Sequence, residues 1–352
     1  MSDLPHRLRV FSGPGGATSG GVLLVALAPY HLDELVPLAA ALTARGVGAT
    51  VGTVEPAAKP LGRWRTQARL HRRLVAALAA RGWTPADPVR PAAELIDAHD
   101  ALVVMNDWDW YRALVEYARS RGRPTFAKVE GVQDFGDVDT GRDRRAYRTV
   151  DHVLLQGPND RAALADRAGT VVGNCRIERI LAGPPVAGGS DLVVVNCNFT
   201  YGVLTEQRRP WLASVAAGCE AAGRRYVVSR HGADRGWVDP RRVSRRPVEE
   251  LLAEAGVLVT RFSTLGFEAL ARGVELVYHN PHGERVPTFR EPGGAFGVSD
   301  SAEGLAALLR RLPATPPVRE RAATFLAAQI DVDPDRPSEE RAADAVLAGL
   351  GA

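Results

Sequence analysis

Cysteine is scarce in this sequence. Three residues, Cys175, Cys197 and Cys219, are spread over a chain of 352 with no C-x-x-C spacing. An odd, scattered set supports neither a disulfide framework nor a zinc site, and a reducing cytoplasm is the compartment it fits. Lysine is almost missing, with only Lys59 and Lys128 among 44 basic residues. The remainder are arginine, which alongside abundant alanine reads as the bias of a GC-rich genome and carries no function by itself. Nor is there a surplus of one charge: 44 basic and 41 acidic residues leave a formal +3. With no DNA- or RNA-binding motif beside it, so small a surplus argues against a nucleic-acid binder. The apolar run Gly21–Ala28 is too short to span a bilayer and no cleavage-like site follows it, so it reads as a strand and not a signal peptide. The Gly-rich segment Gly13–Pro14–Gly15–Gly16 lacks the Lys-Ser/Thr of a P-loop and precedes a strand where a P-loop precedes a helix. Residues 1–20 are expected to be irregular.

What is present is a soluble globular composition, 45% hydrophobic and 24% charged, at a length that suits two domains. Strand 22–28, loop Pro29–His31, helix 33–45 and strand 49–54 form a βαβ unit that opens a parallel sheet. His31 falls in the strand-to-helix loop, at the carboxyl edge where open α/β sheets bind ligands. It is equally readable as a hydrated loop residue, with Asp33 capping the helix. Residues 59–83 form a basic amphipathic helix, apolar through Trp64, Leu70, Leu74 and Leu78 and cationic through Arg63, Arg65, Arg69, Arg72 and Arg73. Such a helix is a solvated face, a groove for an anionic acceptor, or a peripheral contact with an anionic membrane surface. Strands 101–106 and 125–129 place Asp107 and Glu130 at carboxyl ends; strands 152–155 and 170–175 follow. Asp107 and Glu130 have no metal-ligand spacing. They read as caps, or as carboxylates that contact an acceptor or remove a proton.

Residues 180–190, rich in Pro and Gly, are the best linker, which separates a first domain (1–180) from a second (190–330). The terminal helix, roughly 338–349, is expected to cross back, joining 331–352 to the first domain. The second half restarts the α/β pattern with strands 191–196, 225–229, 257–260 and 276–278 and helices near 205–222, 247–255, 265–272 and 302–311. The strands 257–260 and 276–278 lie about 16 residues apart, which one crossover helix spans only for parallel pairing. Ser263 and Thr264 then sit at a strand's carboxyl end and a helix's start, with free backbone N–H groups facing outward, an arrangement that suits a phosphate. Glu268, one turn on, reads either as the partner in a capping box or as an acceptor for ribose hydroxyls. Polar segments close several of these strands: Asn198, Thr200, Tyr201 and Gly202; Arg230, His231 and Gly232; Arg261, Ser263, Thr264 and Glu268; Asn280, Glu284 and Arg285. Four such segments on one sheet edge mark a ligand site whose cations, hydroxyls and N–H donors suit a nucleoside diphosphate.

At these residues the sequence resembles the GT-B superfamily of nucleotide-dependent transferases. Ser263–Thr264–Leu265–Gly266–Phe267–Glu268 is similar to the S-S-x-x-F-D/E segment of bacterial surface-polymer enzymes, among them CDP-glycerol glycerophosphotransferases and capsule-type glycosyltransferases. His231 resembles the donor-side histidine that faces the phosphates in such enzymes, although Gly232 stands where the glycerophosphotransferases carry proline. Val171–Cys175 resembles a V-G-N-P-R stretch at the domain junction, with Cys175 in place of proline. The resemblance implies two Rossmann-like α/β domains facing across a cleft, the donor nucleotide on the second and the acceptor on the first. It implies diphosphate binding at Ser263 and Thr264 and ribose or base contacts near Glu268.

A transferase of this kind needs no tightly bound metal or cofactor, since helix-terminus donors and cations neutralise the departing diphosphate. Arg230, His231, Arg235, Arg261 and Arg285 are the candidate cations. The acceptor hydroxyl needs a general base from the first domain, His31 first, with Glu130 and Asp107 in reserve. The expected activity is glycosyl transfer from a nucleotide-diphosphate sugar to a carbohydrate or lipid-linked acceptor in the cytoplasm, with no nucleic acid involved. The alternatives are a CDP-polyol phosphotransferase, a UDP-sugar epimerase-like enzyme, and a bilobed binding protein that keeps a nucleotide cleft without turnover.

Overall fold

The computed structural model describes residues 6–13, 20–55, 63–85, 88–132, 146–186, 190–199, 204–231, 234 and 236–351, with backbone alone at 63–67 and 109–110. The chain divides into two compact units. The first draws on Met1–Glu130, Arg145–Glu178 and Gln329–Ala352, the second on Gly131–Arg144 and Arg179–Ala328.

The first unit is built on one sheet of β1 (Arg7–Ser12), β2 (Val22–Ala26), β3 (Ala49–Val54), β4 (Thr84–Pro85), β5 (Arg90–Pro91), β6 (Ala101–Val104), β7 (Thr125–Lys128), β8 (His152–Leu155) and β9 (Gly169–Val171). Their order is β4-β1-β3-β2-β6-β7-β8-β9, with β5 paired to β1. From β3 to β9 all neighbours are parallel. Every residue of β2, β6 and β7 is buried, as expected of parallel strands covered on both faces. The helices are α1 (Leu32–Ala44), α2 (Arg63–Ala80), α3 (Ala92–Asp97), α4 (Asp109–Ser120), α5 (Pro158–Ala163) and the start of α6 (Cys175–Ala182). α1 buries Leu35, Leu38, Ala39 and Leu42, the spacing of one helical face. The C-terminal helix, Ser338–Leu350, packs beside it.

The second unit has a five-stranded sheet of β10 (Leu192–Cys197), β11 (Arg225–Arg230), β12 (Val257–Thr260), β13 (Glu275–His279) and β14 (Gly297–Ser299), in the order β11-β10-β12-β13-β14 and parallel throughout. Around it lie α7 (Arg208–Ala221), α8 (Val248–Leu252), α9 (Leu265–Arg272), α10 (Pro287–Arg290), α11 (Ala302–Arg311) and α12 (Val318–Gln329). Alternate residues of β10, Val193, Val195 and Cys197, meet Trp211, Val215 and Cys219 of α7 and Leu305 and Leu309 of α11 in one apolar core. The Ser301 hydroxyl accepts from the Gly304 N–H at 3.1 Å and caps α11.

Two expectations are corrected. Residues 7–12 are not irregular: they form β1, antiparallel to β3, with Leu8 and Val10 buried on one face and Arg7, Arg9 and the buried Phe11 on the other. Cys175 does not end a strand but begins α6, because both Glu34 carboxylate oxygens reach back to accept the Cys175 and Arg176 N–H groups at 3.2 and 3.1 Å. Two elements, β14 and α12, were not expected. Glu275 fixes α12 by taking two hydrogen bonds from Arg321 at 2.7 and 2.8 Å. On α2, Leu74 and Leu78 are buried in the unit's own core while Arg69, Arg72 and Arg73 stay exposed; the Trp64 side chain lies outside the described residues.

Candidate functional site

Each sheet has a strand from which the chain leaves to opposite sides. In the first unit this is β2, followed in sequence by β3 on one side and flanked on the other by β6. In the second it is β10, between β11 and β12. The crevice outside the carboxyl end of such a strand is where open α/β sheets bind ligands.

His31 stands at the first of these points. It is held on the turn Pro29–His31 directly after β2 and is 3% exposed. Its Nδ1 accepts the Leu27 N–H at 3.2 Å and lies 3.1 Å from the Tyr111 hydroxyl, which donates to the Val25 carbonyl at 2.9 Å. Burial holds the Tyr111 phenol well above its usual range, with Glu130 adding to the effect, so Tyr111 stays a neutral donor. The Nε2 atom is buried 3.1 Å from Oε2 of Glu130, yet the angle is too poor for a hydrogen bond and no other described residue supplies one. Glu130 follows β7 and is partly exposed, 25% at its side chain. Asp107, after β6, is 1% exposed and fully engaged. Its Oδ1 accepts the Tyr147 N–H at 2.6 Å, and its Oδ2 accepts the Thr149 N–H at 2.6 Å and hydroxyl at 2.7 Å. That carboxylate pins a loop and leaves the set of groups able to take a proton from a substrate.

In the second unit, Asn198 follows β10. Its Nδ2 donates to the Phe262 carbonyl at 2.6 Å, while its Oδ1 is buried without a partner among the described residues. Arg261, 2% exposed at the end of β12, pairs with Glu284 at 2.7 Å and lies over the Phe199 and Phe262 rings at 4.8 and 4.9 Å. Glu284 also accepts the Tyr278 hydroxyl at 3.1 Å. Burial pushes its carboxyl up, but His282 and Arg261 outweigh that and hold it below the usual carboxylate range. Arg261 is thus committed to the loop after β13 and is withdrawn from the cations that could meet a diphosphate. Asn280 fastens the same loop, donating to the Glu284 carbonyl and accepting its N–H, each at 2.8 Å.

Ser263 and Thr264 lead into α9 as the sequence implied, both partly exposed. The free N–H groups expected there are fewer: Leu265 N–H goes to the Ser263 hydroxyl, Gly266 N–H to the Ser263 carbonyl and Phe267 N–H to the Thr264 carbonyl. The Thr264 hydroxyl does not cap α9; it accepts the Val132 N–H at 2.9 Å. Glu268 is buried, 2% exposed, inside α9. Arg230 shares Asp234 with Arg208: Arg208 grips the carboxylate through both oxygens at 2.6 and 2.7 Å, and Arg230 joins at 3.0 Å. His231 is partly buried, and that burial lowers its pKa against the pull of Asp234, which favours the neutral ring. Arg285 is exposed. Thr200, Tyr201, Gly202, Gly232 and Arg235 lie outside the described residues. No group of three or more His, Cys, Asp or Glu suited to a metal occurs among the described residues, and no helix among them is long and apolar enough to cross a membrane.

Sequence reasoning missed Tyr111, Phe199, Arg208 and His282. Tyr111 lies in the first turn of α4, four residues after Asp107, a position that could have been flagged. Arg208 carries no local signal, since its partner lies 26 residues on.

No protein-family model matches the chain, and no curated protein matches it in sequence. Solved structures do. The UDP-GlcNAc 2-epimerase of Methanocaldococcus jannaschii, in complex with UDP-GlcNAc and UDP, is 12% identical over 94% of this chain and 99% of that one, with a TM-score of 0.58. Spinosyn forosaminyltransferase SpnP is 15% identical over 96% and 100%, at 0.52. A variant of the wall teichoic acid polymerase TagF is 9% identical over 95% and 89%, at 0.53. These are GT-B-type enzymes, and the likeness at such identities is one of fold: the chain carries a GT-B-type α/β fold of two Rossmann-like units.

Proposed function

We propose that the protein is a glycosyltransferase that moves a sugar from a nucleotide-diphosphate donor to an acceptor hydroxyl in the synthesis of a surface polysaccharide or glycoconjugate. The second unit binds the donor, and the first supplies the general base, either His31 or Glu130. The donor is a substrate, and no bound cofactor is invoked. The observation that carries this reading is that each sheet's switch point holds a buried polar atom without a partner among the described residues, His31 Nε2 in one unit and Asn198 Oδ1 in the other. Burying such an atom unpaired costs about 1–3 kcal/mol, which a ligand oxygen or N–H returns on binding. At the second point, Ser263 and Thr264 add hydroxyls, the neutral His231 ring adds a hydrogen-bonding nitrogen, and Arg230, shared with Arg208 on Asp234, adds a further N–H donor group, a set suited to a diphosphate.

The test is a thermal-shift screen against UDP, GDP, CDP, dTDP and ADP. A ligand at 100 times its dissociation constant stabilises the protein by about 2.7 kcal/mol. One diphosphate should raise the Tm, Ser263→Ala and His231→Ala should shrink that rise, and an acceptor should release the same diphosphate from its sugar. No shift with any nucleotide refutes the reading. The epimerase-like alternative gains from the fold shared with a UDP-GlcNAc 2-epimerase at a TM-score of 0.58; conversion of a UDP-sugar without acceptor would favour it. Release of CMP would favour polyol-phosphate transfer.

A further inference from the structure

We infer that Glu130 is the proton acceptor at the first unit's switch point and that His31 is locked as a hydrogen-bond donor through Nε2, the reverse of the order that residue type alone favours. The chemistry rests on the glycosyltransferase reading above; the protonation state rests on geometry.

A backbone N–H has a direction fixed by its peptide plane, whereas a tyrosine hydroxyl rotates. The Leu27 N–H points at His31 Nδ1 from 3.2 Å, so Nδ1 presents its lone pair there. The Tyr111 hydroxyl, 3.1 Å from the same nitrogen, places its hydrogen on the Val25 carbonyl at 2.9 Å and so donates nothing to Nδ1, while its oxygen shares the Leu27 N–H. The neutral ring therefore carries its hydrogen on Nε2. That Nε2–H is buried, unpartnered among the described residues, and 3.1 Å from Glu130 Oε2 at an angle that wastes the contact. For His31 to act as base through Nε2, the hydrogen would have to move to Nδ1, directly against the Leu27 N–H. Glu130 has no such obstacle. Its carboxylate is partly exposed and pairs with no cation among the described residues.

In the transfer step the acceptor O–H proton passes to a Glu130 carboxylate oxygen. The acceptor oxygen forms the new bond to the sugar's anomeric carbon, and the bond from that carbon to the diphosphate breaks with its electron pair leaving on the diphosphate. His31 gives up no proton. Its Nε2–H holds an acceptor oxygen beside Glu130.

Two measurements decide the matter. In protein labelled with ¹⁵N-histidine, the His31 signals, assigned by their loss in His31→Gln, should show the neutral ring with hydrogen on Nε2 at pH 7. The Nδ1–H form or an imidazolium would overturn the inference, whatever the activity. In turnover, His31→Gln keeps an N–H at the Nε2 position but cannot take a proton, so it should retain kcat/KM within about tenfold and keep the acid limb of the wild-type pH profile. Glu130→Gln should lose about 10²–10⁴-fold. A loss in His31→Gln as deep as that in Glu130→Gln, with the acid limb gone, would equally overturn it. Failure of the wild type to turn over any nucleotide sugar counts against the glycosyltransferase reading alone, because the tautomer is observed without substrate.

Discussion

His279 offers a quantitative test of how the second unit is assembled. The imidazole is fully buried at the end of β13, between two serine hydroxyls: Nδ1 lies 2.8 Å from Ser299 Oγ and Nε2 lies 2.9 Å from Ser214 Oγ. Burial, helped by the charge of His282 and opposed by a hydrogen bond at Ser299 and by Asp300, lowers its pKa from 6.5 to about 4. Above pH 6.5 the ring is neutral in both folded and unfolded chains. Between 6.5 and about 4 the unfolded chain binds a proton that the folded one refuses, so stability falls as the pH falls. Each pH unit crossed in that window costs about 1.4 kcal/mol, so the full loss is roughly 3 kcal/mol, of which about 2–3 kcal/mol has gone by pH 4.5. The assay is urea unfolding followed by tryptophan fluorescence, for which Trp211 is a reporter 5.9 Å from the His279 ring. Wild type and His279→Gln are compared from pH 7.5 to 4.5, so that histidines common to both cancel. The variant should be less stable at neutral pH and lose less as the pH drops, the gap narrowing by about 2–3 kcal/mol. Parallel curves would refute the claim that His279 is buried neutral.

Two further substitutions probe the loops that frame the second switch point. Arg261→Met leaves Glu284 buried without its cation and should cost about 3–5 kcal/mol in urea unfolding, with Arg261→Met/Glu284→Gln recovering more than half; a double variant no better than the single would exclude the pair as the cause. Gly236→Ala puts a Cβ 2.2 Å from the Arg208 guanidinium carbon, which is fixed on Asp234 and cannot swing aside. It should destabilise by about 1–3 kcal/mol and lower the Tm, and an unchanged Tm would mean that the fork is loose.

The chain's local patterns carried much of the architecture. Val257–Thr260, Leu265–Arg272 and the strand around Leu276–Tyr278 were legible because a short apolar run, a hydroxyl turn and a helical repeat are each encoded by residues next to one another. The same holds for β2, α1 and β3, and hence for the placement of His31, Glu130, Ser263 and Asn198 at carboxyl ends of strands. β1 was there to be read in the alternation of Arg-Leu-Arg-Val, but its glycine-rich neighbours hid it.

What the sequence by itself determined is therefore which residues stand at the sheet edges, since strand and helix periods are properties of a few consecutive side chains. What only the tertiary structure decided is what each of them does. Asp107 and Arg261 looked like groups awaiting a ligand; Tyr147 and Thr149 claim one and Glu284 the other, from 40, 42 and 23 residues away. His31 looked like a base; the fixed N–H from Leu27 and the carboxylate at the end of β7 are the neighbours that bear on which of its nitrogens holds the hydrogen. Hydrogen bonds act over about 3 Å of space and are indifferent to distance along the chain, so a residue's neighbours in sequence cannot reveal whether its polar atoms are already spent.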